Sequence, residues 1–217
     1  NFLRRKWMQL VVFLMLLMVP TFVSAKQLIP MGQSIGVQLD LPYVYVTHDV
    51  LLPSGKWLKA GDILTAINNK ALQKVKMLEK VTQTANLNIE RNDIELNYQL
   101  KPDELANILP FLKDETDGIG TLTFVDPTSG EYGALGHQII DSSLDKPPDF
   151  LKGAIYMASI QQVKKSIPGQ PGYKVSVIDR NQARLGNVSD NQIYGIFGKW
   201  ENTLQQSVQQ PMEIIHA

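Results

Sequence analysis

The sequence predicts a mainly β chain preceded by an apolar N-terminal helix, and three observations predict it. Leu10 to Val19 is an unbroken apolar run behind Arg4-Arg5-Lys6. From Ser34 onward, apolar residues alternate in short stretches bounded by Gly, Pro, Asn and Asp, as half-buried strands do. After the first segment, helical spacing is confined to Leu72–Thr84, where Leu72, Val75, Leu78 and Val81 recur among Lys and Glu.

The N-terminal run is an export element. Positive charge before it, then Pro20 and the small residues Val23-Ser24-Ala25 after it, fit either a cleaved signal peptide or a retained anchor. Trp7 to Ala25 is long enough to span a bilayer, which needs roughly 20 residues. The charge placement sends the chain after Lys26 across the membrane. Residues 1–27 form this segment. The chain opens on Asn1 rather than Met, and Pro211 to Ala217 reads as a strand about to begin, so truncation at both ends is expected.

Ser34 to Thr47 predicts two short strands separated at Pro42. Gly61-Asp62 gives a tight turn, Ile63 to Ile67 a buried strand and Asn68-Asn69 a second turn. Leu72–Thr84 is expected to be an amphipathic helix. Asn86 to Leu100 alternates again, as a hairpin turning near Arg91-Asn92-Asp93. Residues 101–117 are charged and contain Pro, marking a connector between domains 28–100 and 118–217. Beyond it, β-like runs at Gly118–Val125, Tyr132–Ile140, Gly153–Lys164, Lys174–Ile178 and Gln192–Phe197 predict an all-β barrel or sandwich.

Composition removes several function classes. The 21 basic and 21 acidic residues balance, leaving no electrostatic footprint for nucleic acid. With no cysteine, disulfides, thiolate nucleophiles and Cys-type zinc sites are excluded. The histidines are His48, His137 and His216, none paired at metal-ligand spacing, so no cofactor is expected. Gly32-Gln33-Ser34-Ile35-Gly36 matches G-x-S-x-G formally. A nucleophile elbow needs a buried strand before it and a helix directly after it, and Ser34 has neither. Asn187-Val188-Ser189 is a glycosylation triplet by pattern, a match common by chance.

Gly61-Asp62-Ile63-Leu64-Thr65-Ala66-Ile67-Asn68 resembles the G-D-x-I-x-x-I-N signature of PDZ domains. The resemblance implies an α+β module at 28–100 that binds an extended peptide as an added strand. Helix Leu72–Thr84 would wall its groove, and Ser34, Ile35, Gly36 and Val37 would form the loop holding a peptide carboxylate.

Gly118-Ile119-Gly120-Thr121-Leu122-Thr123-Phe124 and Tyr132-Gly133-Ala134-Leu135-Gly136-His137-Gln138-Ile139-Ile140-Asp141 resemble the start of the peptidase domain in the family of stage IV sporulation protein B. Leu28 to Val37 and Gly195-Ile196-Phe197-Gly198 match the same family. The resemblance implies the front part of a chymotrypsin-like β-barrel with His137 as the general base of a serine-peptidase triad. The family's serine and orienting aspartate come after the position equivalent to Ala217. Asp141, four residues beyond His137, is a turn-capping or solvated residue rather than that acid in this reading. The same resemblance implies a regulatory endopeptidase of endospore formation, exported into the space between forespore and mother-cell membranes. It would cleave itself and then a membrane-bound regulator, triggering sigma-factor processing. The competing expectation is a non-catalytic exported protein that binds peptides through its PDZ-like module.

Overall fold

The computed structural model describes residues 4–8, 26–144, 146–181, 184–201 and 212–214. Residues 4–8 are helical; the apolar run Leu10–Val19 and the residues up to Ala25 lie outside the described residues. Among the described residues, no helix is long and apolar enough to cross a membrane.

The chain is mainly β, as expected. Strands run in the order β1 (Lys26–Pro30), β2 (Ser34–Val46), β3 (Val50–Leu51), β4 (Trp57–Leu58), β5 (Ile63–Ile67), β6 (Lys70–Ala71), β7 (Ala85–Arg91) and β8 (Ile94–Leu100). The helix Pro102–Ile108 follows, then β9 (Leu112–Thr121), β10 (Phe124–Val125), β11 (Glu131–Leu135), β12 (Lys152–Lys164) and β13 (Tyr173–Ile178). Last come β14 (Gly186–Asn187), β15 (Asp190–Gln192), β16 (Gly195–Lys199) and β17 (Met212–Ile214). One sheet has the order β13-β12-β2-β5-β7-β8, with β14 on β12, β6 on β5 and β9 on β2. A second has the order β15-β16-β11-β10-β1-β17.

Strand β2 organises both halves. Its odd residues Ile35, Val37, Leu39, Leu41 and Tyr45 enter a core shared with Val125, Tyr132, Ala134, Ile139, Ile155 and Ile196. Val44 and Val46, on its other face, enter a core with Leu58, Leu64, Leu87, Ile89, Leu100, Leu105 and Ile108. Each fully buried Leu or Ile contributes about 1.5–3 kcal/mol, so both cores hold β2 in place. The break expected at Pro42 is a bulge inside one continuous strand. Asp40 faces Glu115 while Tyr45 faces Lys113, so the extra β2 residues loop out where Pro has no ladder bond to lose.

Three further expectations need correction. Residues 101–117 are no linker, because the Pro102–Ile108 helix packs Leu105 and Ile108 into the first core and β9 pairs with β2 from Leu112 to Thr121. The boundaries at residues 100 and 118 therefore cut through packed structure, and residues 28–41 pack with the later half. Leu72–Thr84 forms only a 3₁₀ turn, Val75–Met77, within irregular chain. Its apolar spacing reflects Leu72 and Leu78 anchoring that chain in the first core. The run Tyr132–Ile140 leaves the sheet after Leu135.

The local turn readings hold. Asn68 and Asn69 have φ of 47° and 63°, and Asn92 and Asp93 of 50° and 62°, the left-handed pairs that close β5 onto β6 and β7 onto β8. Asp62, buried, accepts two 2.6 Å bonds from Arg91 and one of 2.8 Å from the Lys59 N–H. In this chain the Gly-Asp pair is a structural corner that ties β5 to β7.

Candidate active site

His137 stands just past the end of β11, on a segment without regular secondary structure. The two sequence blocks that flank it in the resemblance meet in space. The Leu135 N–H donates to Thr123 Oγ1 at 2.9 Å, and the Thr123 N–H donates to the Gly133 carbonyl at 2.8 Å. On the other side β11 pairs with β16 up to Leu135 opposite Gly195, and the Gly136 N–H extends the contact to the Tyr194 carbonyl at 3.1 Å. A Cβ on Gly195 would stand 2.5 Å from the Ala134 carbonyl oxygen, so this close approach requires glycine.

Downstream, the Ile139 side chain enters the second core directly over Gly118, where any Cβ would overlap it. That contact explains the glycine at the head of the Gly118–Phe124 block: it gives the chain after His137 a seat on β9. The Ile139 main chain is held by Asn191, whose Oδ1 accepts its N–H at 2.8 Å and whose Nδ2 donates to its carbonyl at 2.9 Å.

The His137 ring is exposed. Its Nδ1 lies 3.2 Å from the Gln138 carbonyl oxygen. A carbonyl only accepts, so Nδ1 is the donor, and the neutral ring keeps its lone pair on Nε2. That tautomer suits a group that must take a proton from a hydroxyl. Leu135, Ile140, Ile193 and Tyr194, on the segments next to His137 in sequence or at the β15–β16 turn, are exposed.

Asp141 is not directed to the histidine. It accepts from the Tyr45 hydroxyl at 2.9 Å, from Thr116 Oγ1 at 3.4 Å and from the Ser143 N–H at 2.8 Å, with Lys113 Nζ at 4.0 Å. Burial pushes its pKa up, but the Ser143 and Tyr45 hydrogen bonds outweigh that and hold it below the ordinary carboxylate value. The turn-capping role read for it from sequence matches this set of partners.

Ser34, Ile35, Gly36 and Val37 are not brought to His137. They lie in β2, and Ile35, Gly36 and Val37 are paired on one side with Gly120, Ile119 and Gly118 and on the other with Met157, Tyr156 and Ile155. Main-chain N–H groups in a strand flanked on both sides already have partners, which removes the carboxylate-binding loop. The same pairing places Ser34 at a strand start rather than an elbow. His48 is exposed, 2.9 Å from Thr47 Oγ1, and His216 lies outside the described residues.

Sequence reasoning missed Asn191 and Thr123 as supports of the His137 segment. Thr123 was visible as part of the Gly118–Phe124 block. Asn191 gave no local signal, since its partner lies 52 residues earlier.

No curated protein and no solved structure matches the chain. The family model described as SpoIVB peptidase S55 matches residues 106–217. The match takes in β9 to β17, the Gly118–Phe124 block, His137 and Asn191, while Ile35, Val37, Leu39, Leu41 and Tyr45 of β2 complete the same core from outside it. With just over half its length matched, the chain belongs to the SpoIVB peptidase S55 family.

Proposed function

We propose that this chain is the base-bearing part of a regulatory serine endopeptidase of endospore formation. The observation that carries the reading is His137: an exposed histidine whose Nδ1 lies 3.2 Å from the Gln138 carbonyl oxygen, inside the block that resembles the family's catalytic motif. In the reaction, Nε2 takes the proton of a serine hydroxyl as the oxygen attacks the peptide carbonyl, then returns it to the leaving amine. In the family that the resemblance points to, the serine and the orienting aspartate come later in the chain than the histidine.

The protein is exported behind its N-terminal segment, cleaves itself close to that segment, and then cleaves a membrane-bound regulator, which triggers sigma-factor processing. Family membership supports a protein substrate. Peptide capture by the PDZ-like segment belongs to the edge of β8, which ends its sheet among the described residues.

A fluorophosphonate probe that modifies only an activated serine tests the reading. The full-length protein is expected to be labelled, and its His137→Ala variant to lose labelling while remaining folded. Equal labelling of both would remove His137 from the mechanism.

A further inference from the structure

The segment Gly136–Ile140 carries the proposed base without belonging to a strand, so something other than a ladder must fix the ring. Its upstream end is pinned by the Gly136 N–H on the Tyr194 carbonyl. Downstream, Asn191 in the middle of β15 meets both main-chain groups of Ile139, at 2.8 and 2.9 Å. A side-chain amide can accept an N–H through its oxygen and donate to the same residue's carbonyl through its nitrogen at once. It thereby replaces the missing strand partner. Its own strand is rigid, because Asn191 pairs with Ile196 of β16, and β16 pairs with β11. His137 and Gln138 are left as the span between two pins.

We infer that Asn191 is a positioning residue for His137, setting the imidazole where an incoming hydroxyl can reach it. The inference rests on the base role proposed above. Displacing a reacting group by about 1 Å costs on the order of 10²-fold in rate, so loss of the clamp falls on kcat rather than on substrate affinity.

The test uses the full-length protein with a peptide substrate taken from its own cleavage site. Asn191→Ala is expected to lower kcat at least about tenfold, leave KM unchanged, and remove hydrogen-exchange protection of the Ile139 amide. Asn187→Ala is the structural control, because Asn187 Oδ1 accepts the Lys199 N–H at 2.8 Å in the adjoining strands. It should lower stability and leave kcat alone. Equal kcat losses in the two variants, tracking their stability losses, would overturn the inference, and so would parental kcat in Asn191→Ala. If His137→Ala also cleaves normally, the base reading fails; if only Asn191→Ala does, the positioning role alone fails.

Discussion

The Tyr45 hydroxyl donates a 2.9 Å hydrogen bond to Asp141 Oδ2, joining the middle of the molecule to the chain that leaves His137. Tyr45 is fully buried in the strand that both cores share. Burial and the adjoining carboxylate push its own pKa well above the ordinary phenol value, so it keeps the proton that it donates to Asp141. The loop after the histidine is therefore anchored to the most constrained element of the fold.

Removing that donor should cost stability without removing the ring from the surface. Tyr45→Phe is expected to lower unfolding free energy by about 1.5–3 kcal/mol, the range for a hydrogen bond to a charged group. Urea denaturation checks it, through a lower midpoint at unchanged slope. A loss below about 0.5 kcal/mol would mean that Asp141 is held by Ser143 and Thr116 alone.

Acid sensitivity should centre on Asp126. This buried carboxylate accepts from Ser129 Oγ at 2.7 Å, from the Thr128 and Ser129 N–H groups, and pairs with Lys26 Nζ at 3.1 Å. The Ser129 hydroxyl bond is the largest influence; with the two N–H bonds and Lys26 it overcomes burial and holds the pKa well below the ordinary carboxylate value. The folded state thus binds a proton less readily than the unfolded chain. Its stabilising contribution is complete above about pH 4, the unfolded value, and is lost as pH falls through the depressed folded value. Asp126→Asn should be clearly less stable than the parent at pH 7. The gap should narrow progressively below about pH 4, as followed by thermal melts across pH; a constant gap would exclude this linkage.

Local chemistry explains what was legible in the sequence. Asn68-Asn69 and Asn92-Asp93 announce their turns because left-handed backbone favours those residues, and β5, β7 and β8 follow from alternation. Leu72–Thr84 misled because apolar residues every third position also describe irregular chain that drops Leu72 and Leu78 into a core. Ser34–Val37 misled because glycine among alternating residues fits both a ligand loop and a central strand. Pairing with β9 and β12, far away in sequence, decides between them. The domain boundaries failed for the same reason, since one strand feeding two cores leaves no compositional mark. The contacts of the His137 segment divided by distance: Thr123 lay within a sequence block, whereas Asn191 required the folded chain.

The most direct measurement is chemical rescue of self-cleavage in the full-length protein. His137→Ala should slow the appearance of the new N-terminus by roughly 10²–10⁴-fold, the usual contribution of a positioned base. Added imidazole should restore part of the rate in proportion to its free-base concentration. Self-cleavage at the parental rate in His137→Ala, without imidazole, would contradict the account.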